Sequence, residues 1–233
     1  MYENAPVRVR EDIEAAHRDI WAALAKPGTW WTAAQRIGIA REARRARALR
    51  GLAPVPEGPV EATLPEIAVD CARRIGGDPA SLDEGWFGSV MKGLSETEYV
   101  ELAAIVVQTV SVDVFCRGLG IPLHPYPAPG AGEPSCERPE SAVDEEAWVP
   151  TIPAGAAGGD WGRSLYGDAA MPNVIRALSL VPDDAALALR QCESQYMAIP
   201  QVLDPSFEPL RGLCRAQVEL IAGRVSAINE CFY

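Results

Sequence analysis

Six thiols, Cys71, Cys116, Cys136, Cys192, Cys214 and Cys231, are the nucleophiles of this chain, and no two of them stand three residues apart. There is thus no Cys-x-x-Cys pair, and in a reducing compartment all six are expected to remain free. The two histidines, His17 and His124, are too few for a metal centre built on several imidazoles, so neither a metal nor any other cofactor is expected. No phosphate loop, dinucleotide fingerprint or Gly-x-Ser-x-Gly elbow occurs. Arg36, Arg41, Arg44, Arg45, Arg47 and Arg50 form a basic run opposed locally only by Glu42. Such a run can meet phosphates, but 21 basic against 32 acidic residues leave a formal charge of −11, which opposes nucleic acid and anionic membranes. The arginines are therefore expected on a solvated or interdomain face, where acidic helices can pair with them.

The elements that position these groups read as helices throughout. Residues 10–26 carry an apolar stripe of Ile13, Ile20, Trp21, Leu24 and Ala25, stopped by Pro27-Gly28. Residues 29–52 form a second helix, and Trp21, Trp30 and Trp31 around the stop are expected to make a corner of the core. After the prolines of 53–60, two shorter helices at 64–75 and 81–94 flank a stop at Gly76-Gly77-Asp78-Pro79. Ser95-Glu96-Thr97-Glu98 is a capping box, and the helix it opens runs to about Gly118. That helix is apolar on most faces and is expected to lie buried between others. Residues 121–139 hold six prolines and can be neither helix nor central strand. Further helices are expected at 172–180, 183–199 and 206–233. The class is all-α, with helical units at 1–123 and 147–233 and a proline-rich linker at 124–146.

A hydrophobic content of 48% over 233 residues supplies a core. The longest apolar stretch, 102–115, is broken by Gln108 and Asp113, so no membrane segment is expected. The first nineteen residues lack the apolar core of a secretory signal, and a cytoplasmic location follows as the expectation. Cys71 and Cys116 fall on apolar helix faces, Cys136 lies in the linker, and Cys192 and Cys214 precede the last helix, where either could face Cys231. His17 is expected at the surface or hydrogen-bonded, and His124 has no evident partner.

From Ala147 onward the order of features resembles the alkylhydroperoxidase/carboxymuconolactone decarboxylase superfamily, the AhpD-like proteins. Trp148-Val149-Pro150 resembles the opening of the domain, and Asn173-Val174-Ile175-Arg176-Ala177-Leu178-Ser179-Leu180-Val181-Pro182 resembles the segment before the redox site. The stretch from Glu219-Leu220-Ile221-Ala222 to Ser226-Ala227-Ile228-Asn229-Glu230-Cys231-Phe232-Tyr233 resembles the redox helix. The resemblance implies helical-bundle units, a proton relay through Glu219, and Cys231 as the resolving thiol of a peroxidase. The peroxidatic position is the one that would follow Tyr233. Substrates would be hydroperoxides or small organic molecules, the electron donor a dithiol protein, and the assembly a homo-oligomer. Spacing alone also reads Cys231 as a small buried hydrophobe and Glu219 as a solvated helix residue.

Residues 20–123 resemble the family less strongly. Setting Ala34-Gln35 on Ala216-Gln217 places Ile37 at the Glu219 position, Leu49 at the Cys231 position and Leu52 at the next motif position, so this half is a degenerate copy without thiols. Two other functions are compatible with the sequence: a non-catalytic helical scaffold, and a cysteine-independent lyase or decarboxylase acting on a small organic acid. One chemical reading of the motif is that the residue after Tyr233 is selenocysteine, encoded by a UGA codon. An artificial boundary, a truncating mutation or loss of the domain are the alternatives, and the 233 residues are expected to turn over peroxide slowly because a resolving thiol cannot complete the cycle alone.

Overall fold

The computed structural model describes residues 1–56, 62–145, 147–167, 171–209 and 212–228. Among them the chain is all-α, and the one β feature is an isolated antiparallel bridge between Val143 and Thr151. The first half contributes α1 (Glu11–Leu24), α2 (Ala33–Leu49), α3 (Glu66–Gly77), α4 (Glu84–Val90) and α5 (Glu96–Gly118). The second contributes α6 (Gly159–Tyr166), α7 (Asn173–Arg176), α8 (Pro182–Gln195), α9 (Ile199–Leu203) and α10 (Arg215–Ile228).

The expected capping box opens α5, with Ser95 Oγ accepting from the Glu98 amide at 3.3 Å and Glu98 Oε2 accepting from the Ser95 amide at 2.8 Å. A second box, Thr32 with Gln35, opens α2. The later helices are shorter than their periodicity suggests. Of 172–180 only Asn173–Arg176 is helical. The helix expected over 183–199 ends at Gln195, because Tyr196 leaves the helical region at φ −122°, ψ −100°. The last helix begins at Arg215, after Gly212 at φ +71°. The pair Gly76-Gly77, expected as a stop, is the last turn of α3. A Cβ on Gly76 would lie 2.7 Å from the Ala43 Cβ, so glycine there lets α3 and α2 touch backbone to backbone.

Every face of α5 but one is covered. Leu102, Ile105 and Val106 pack with Leu24, Ile39, Ala43, Ala68 and Cys71, joining α5 to α1, α2 and α3. Val100 and Ala104 pack with Phe87 of α4 and with Val149, Leu180 and Val181 from the second half. Val112 and Cys116 pack with Tyr2 and Ile20, against which Leu187 of α8 also rests. By length and composition α5 would suffice to cross a membrane, where the sequence suggested no such segment; 61% of its most apolar window is buried inside this fold. Its exposed apolar residues are Val107 and Val114.

Two arginines of α2, Arg36 and Arg44, turn inward and meet carboxylates. Arg36 ion-pairs with Glu101 of α5 and bridges to Asp184 of α8 at 2.8 and 3.1 Å, all three being almost fully buried. Arg44 grips Asp113 of α5 with two hydrogen bonds of 2.8 and 2.7 Å. Arg45 pairs with Glu42, and Arg47 and Arg50 reach the carbonyls of Gly76 and Gly77. The expected pairing with acidic helices is present at Arg36 and Arg44, but these two are buried instead of lying on a solvated face, because Glu101, Asp184 and Asp113 meet them inside the core.

The proline-rich segment 121–139 is neither helix nor strand and lies as a strap along α1 and α2. Trp21 Nε1 donates to the Pro125 carbonyl at 2.9 Å and Tyr126 Oη to the Ala40 carbonyl at 2.9 Å. The amides of Gly130 and Cys136 donate to Ala25 and Thr29 at 2.8 Å each. His17 is fully buried and satisfied by Tyr2 Oη at 2.5 Å and Gln195 Nε2 at 2.9 Å.

Candidate functional site

Glu219 lies in the second turn of α10, four residues after Arg215, where an arginine and a glutamate share one helix face. Arg215 Nε donates to Glu219 Oε1 at 2.6 Å. The rest of its guanidinium is spent on the carbonyls of Gln201 and Val202 in α9 and of Asp204 beyond it, at 2.9, 2.9 and 3.1 Å. Those carbonyls have no intrahelical donor at the end of so short a helix, which is why a cation caps them. The guanidinium thereby fixes the start of α10 against α9. Tyr196, just past the end of α8, donates its hydroxyl to Glu219 Oε2 at 2.7 Å. One carboxylate thus ties three helices together.

The hydrogen bond from Tyr196, with the Arg215 hydrogen bond and charge behind it, holds the Glu219 carboxyl below the ordinary glutamate range. Burial and the neighbouring carboxylate push the Tyr196 phenol up to about 12. At neutral pH the pair is therefore a carboxylate anion and a neutral phenol. Glu219 keeps 41% of its side chain exposed, so its remaining lone pairs are open to an incoming group. Chemically the set can take up a proton at Glu219 and keep that carboxylate in one orientation.

Cys231 lies outside the described residues. Within them, α10 is continuous from Arg215 to Ile228, which sets Glu219 about 13.5 Å along the axis from Ile228 at ~1.5 Å per residue. Cys192 and Cys214 are exposed, and their approach to Cys231 falls outside the described residues as well. In the first half Ile37 is buried, while Leu49 and Leu52 are 84% and 37% exposed. The last two therefore do not fill space in the way a degenerate, packed copy of a site would require. Among the described residues no cluster of histidine, cysteine, aspartate and glutamate is arranged to hold a metal ion.

Two members of this site escaped the sequence reading. Arg215 could have been found from its spacing to Glu219. Tyr196 is 23 residues away on another element, and nothing in its local sequence marks it. No protein-family model, curated protein or solved structure matches the chain.

Proposed function

We propose that the second half carries part of a hydroperoxide-reducing site of the AhpD-like kind, with Glu219 as the relay carboxylate and Cys231 as the resolving thiol. The observation that supports this reading is the half-exposed Glu219 anion held by Tyr196 and Arg215. In the cycle a peroxidatic thiol or selenol attacks the O–O bond, releases the alcohol and becomes the sulfenic or selenenic acid. The Cys231 thiol passes its proton to Glu219, and its sulfur attacks that acid. A disulfide or selenylsulfide forms, the hydroxide leaves with the relayed proton as water, and a dithiol reductant restores both groups. The peroxidatic group is the one the resemblance places after Tyr233.

Hydroperoxide consumption with dithiothreitol as reductant tests this. The 233-residue chain should turn over slowly, and joining a cysteine after Tyr233 should raise the rate at least about tenfold. That gain should vanish with Cys231→Ser and fall about tenfold or more with Glu219→Gln. Fast turnover by the unextended chain, or a gain indifferent to Cys231, would sink the reading. A reaction on a small organic acid lost with Glu219→Gln but kept with Cys231→Ser would favour a lyase instead.

One observation favours a scaffold as second reading. Leu220, Ile221, Val225 and Ile228 of α10 are 75%, 54%, 51% and 63% exposed, while Val218 alone of the helix is buried. Four uncovered apolar residues on one helix suit self-association. Light scattering should then show an oligomer that dissociates in a Leu220→Ser, Val225→Ser double variant, and a monomer before and after would exclude it.

A further inference from the structure

Polar groups make up most of the contact by which α8 docks on the first half. The buried residues of this helix are Pro182, Asp184, Ala185, Gln191 and Ser194, and Leu187 is only partly covered. Its bonds with α5 run from Gln108 Nε2 to the Asp184 carbonyl at 2.8 Å, from Gln191 Nε2 to the Gln108 carbonyl at 3.2 Å and from Ser111 Oγ to Gln195 Oε1 at 2.8 Å. An element with so little apolar burial opens at lower cost than the core around it. The apolar anchor comes just before the helix, at Leu180 and Val181, both fully buried against α4 and α5. A hinge for α8 therefore falls at Val181-Pro182.

Beside that hinge sits the buried group of Arg36, Glu101 and Asp184. Arg36 Nη1 donates to both carboxylates, and neither carboxylate has another cationic partner among the described residues. With all three ionised, one uncompensated negative charge would remain in a dry site, and a single bound proton removes it. Glu101 is the member that holds this proton, because burial and the Asp184 charge raise its pKa despite Arg36. It faces Arg36 from α2, Asp184 from α8 and the Trp30 amide from the connection between α1 and α2. Charged side chains of α1 and α3 are paired elsewhere, Asp19 with Arg190, Glu14 with Arg18, Arg73 with Glu42 and Arg74 with Asp70. His17 of α1 meets the far end of α8 through Gln195, and burial holds it down to about 4, so it stays neutral above pH 6.

We propose that the Arg36, Glu101 and Asp184 group is a pH-sensitive latch: as pH rises through neutrality it loses its proton, the two carboxylates repel across one cation, and α8 opens locally about Val181-Pro182. Opening returns Glu101 to water, where it ionises in the ordinary range, so the latch is tightest while the proton is held and weakens as pH rises. Tyr196, the phenol on Glu219, directly follows α8, so opening would also free that carboxylate. The latch itself does not rest on the peroxidase reading, since Glu219 and Cys231 take no part in it.

Hydrogen–deuterium exchange of the full chain, read by mass spectrometry and corrected for the intrinsic pH dependence of amide exchange, tests this. Between pH 6 and pH 8 the protection of the α8 amides should fall about tenfold while that of the α3 amides stays constant. In Glu101→Gln, which has no proton to lose, protection of α8 should be the same at both pH values. Should that variant fail to fold by circular dichroism, Asp184→Asn, which leaves one carboxylate to one cation, should likewise remove the pH dependence. Constant α8 protection in the wild type, an equal fall in α3, or a fall in a folded variant as large as in the wild type would each overturn the proposal.

Discussion

Glu101 has no exposed surface and shares one cation, Arg36, with a second buried carboxylate, Asp184. Burial and the negative charge of Asp184, only partly offset by Arg36, push its pKa up to about 7 from an ordinary 4.5. An acid whose pKa is raised by folding holds its proton more tightly in the folded state. Its stabilising contribution is complete below about pH 4.5 and is lost as pH rises through about 7. His17 works in the opposite sense. Burial and the nearby His124 bring it down to about 4 from 6.5, so its contribution is complete above 6.5 and is lost as pH falls towards 4. The difference between the wild type and Glu101→Gln isolates the first effect. Between about pH 8 and pH 5 the wild type should gain on the order of 2 kcal/mol relative to the variant, read as a difference in Tm. A pH-independent difference would mean that Glu101 titrates normally.

At the scale of elements, packing decided what local sequence could not. A glycine pair followed by Asp78-Pro79 reads as a helix stop, yet α3 runs through both glycines because α2 lies so near that a side chain on Gly76 would strike Ala43. Gly76→Ala should therefore destabilise by about 1 to 3 kcal/mol despite the better helix propensity of alanine. Gly88→Ala in α4, where a Cβ meets nothing within 4 Å, should be neutral or stabilise by up to about 1 kcal/mol. Chemical denaturation of the two variants checks both, and equal effects would show that the α2–α3 approach is not tight. The capping box at Ser95 and the buried α5 were legible because their signals are local: a serine and a glutamate three apart, and apolar residues on every face. The second-half boundaries were not, since α7, α9 and the start of α10 are set by Pro200, Gly212 and tertiary contacts.

Over the whole molecule the two halves of the sequence share their cores, with Val149, Leu180 and Val181 packed on α4 and α5 and the Arg36, Glu101 and Asp184 group joining α2, α5 and α8. Apolar periodicity gave the helical class, whereas the arginines, expected on a solvated or interdomain face, include two that are buried, Arg36 and Arg44. Local sequence could not show which carboxylate each arginine meets, because Arg36 and Asp184 are 148 residues apart. Glu219 was singled out through a resemblance that no comparison supports, and Tyr196, which hydrogen-bonds it, became visible in the fold. What remains decisive for function is whether Glu219 and Cys231 form one site. The pH dependence of Cys231 alkylation by iodoacetamide, followed by mass spectrometry in the wild type and in Glu219→Gln, measures this directly. A neighbouring carboxylate disfavours a thiolate, so removing its charge should lower the apparent thiol pKa by about 0.5 to 1 unit. Identical titration midpoints in the two proteins would contradict a shared site.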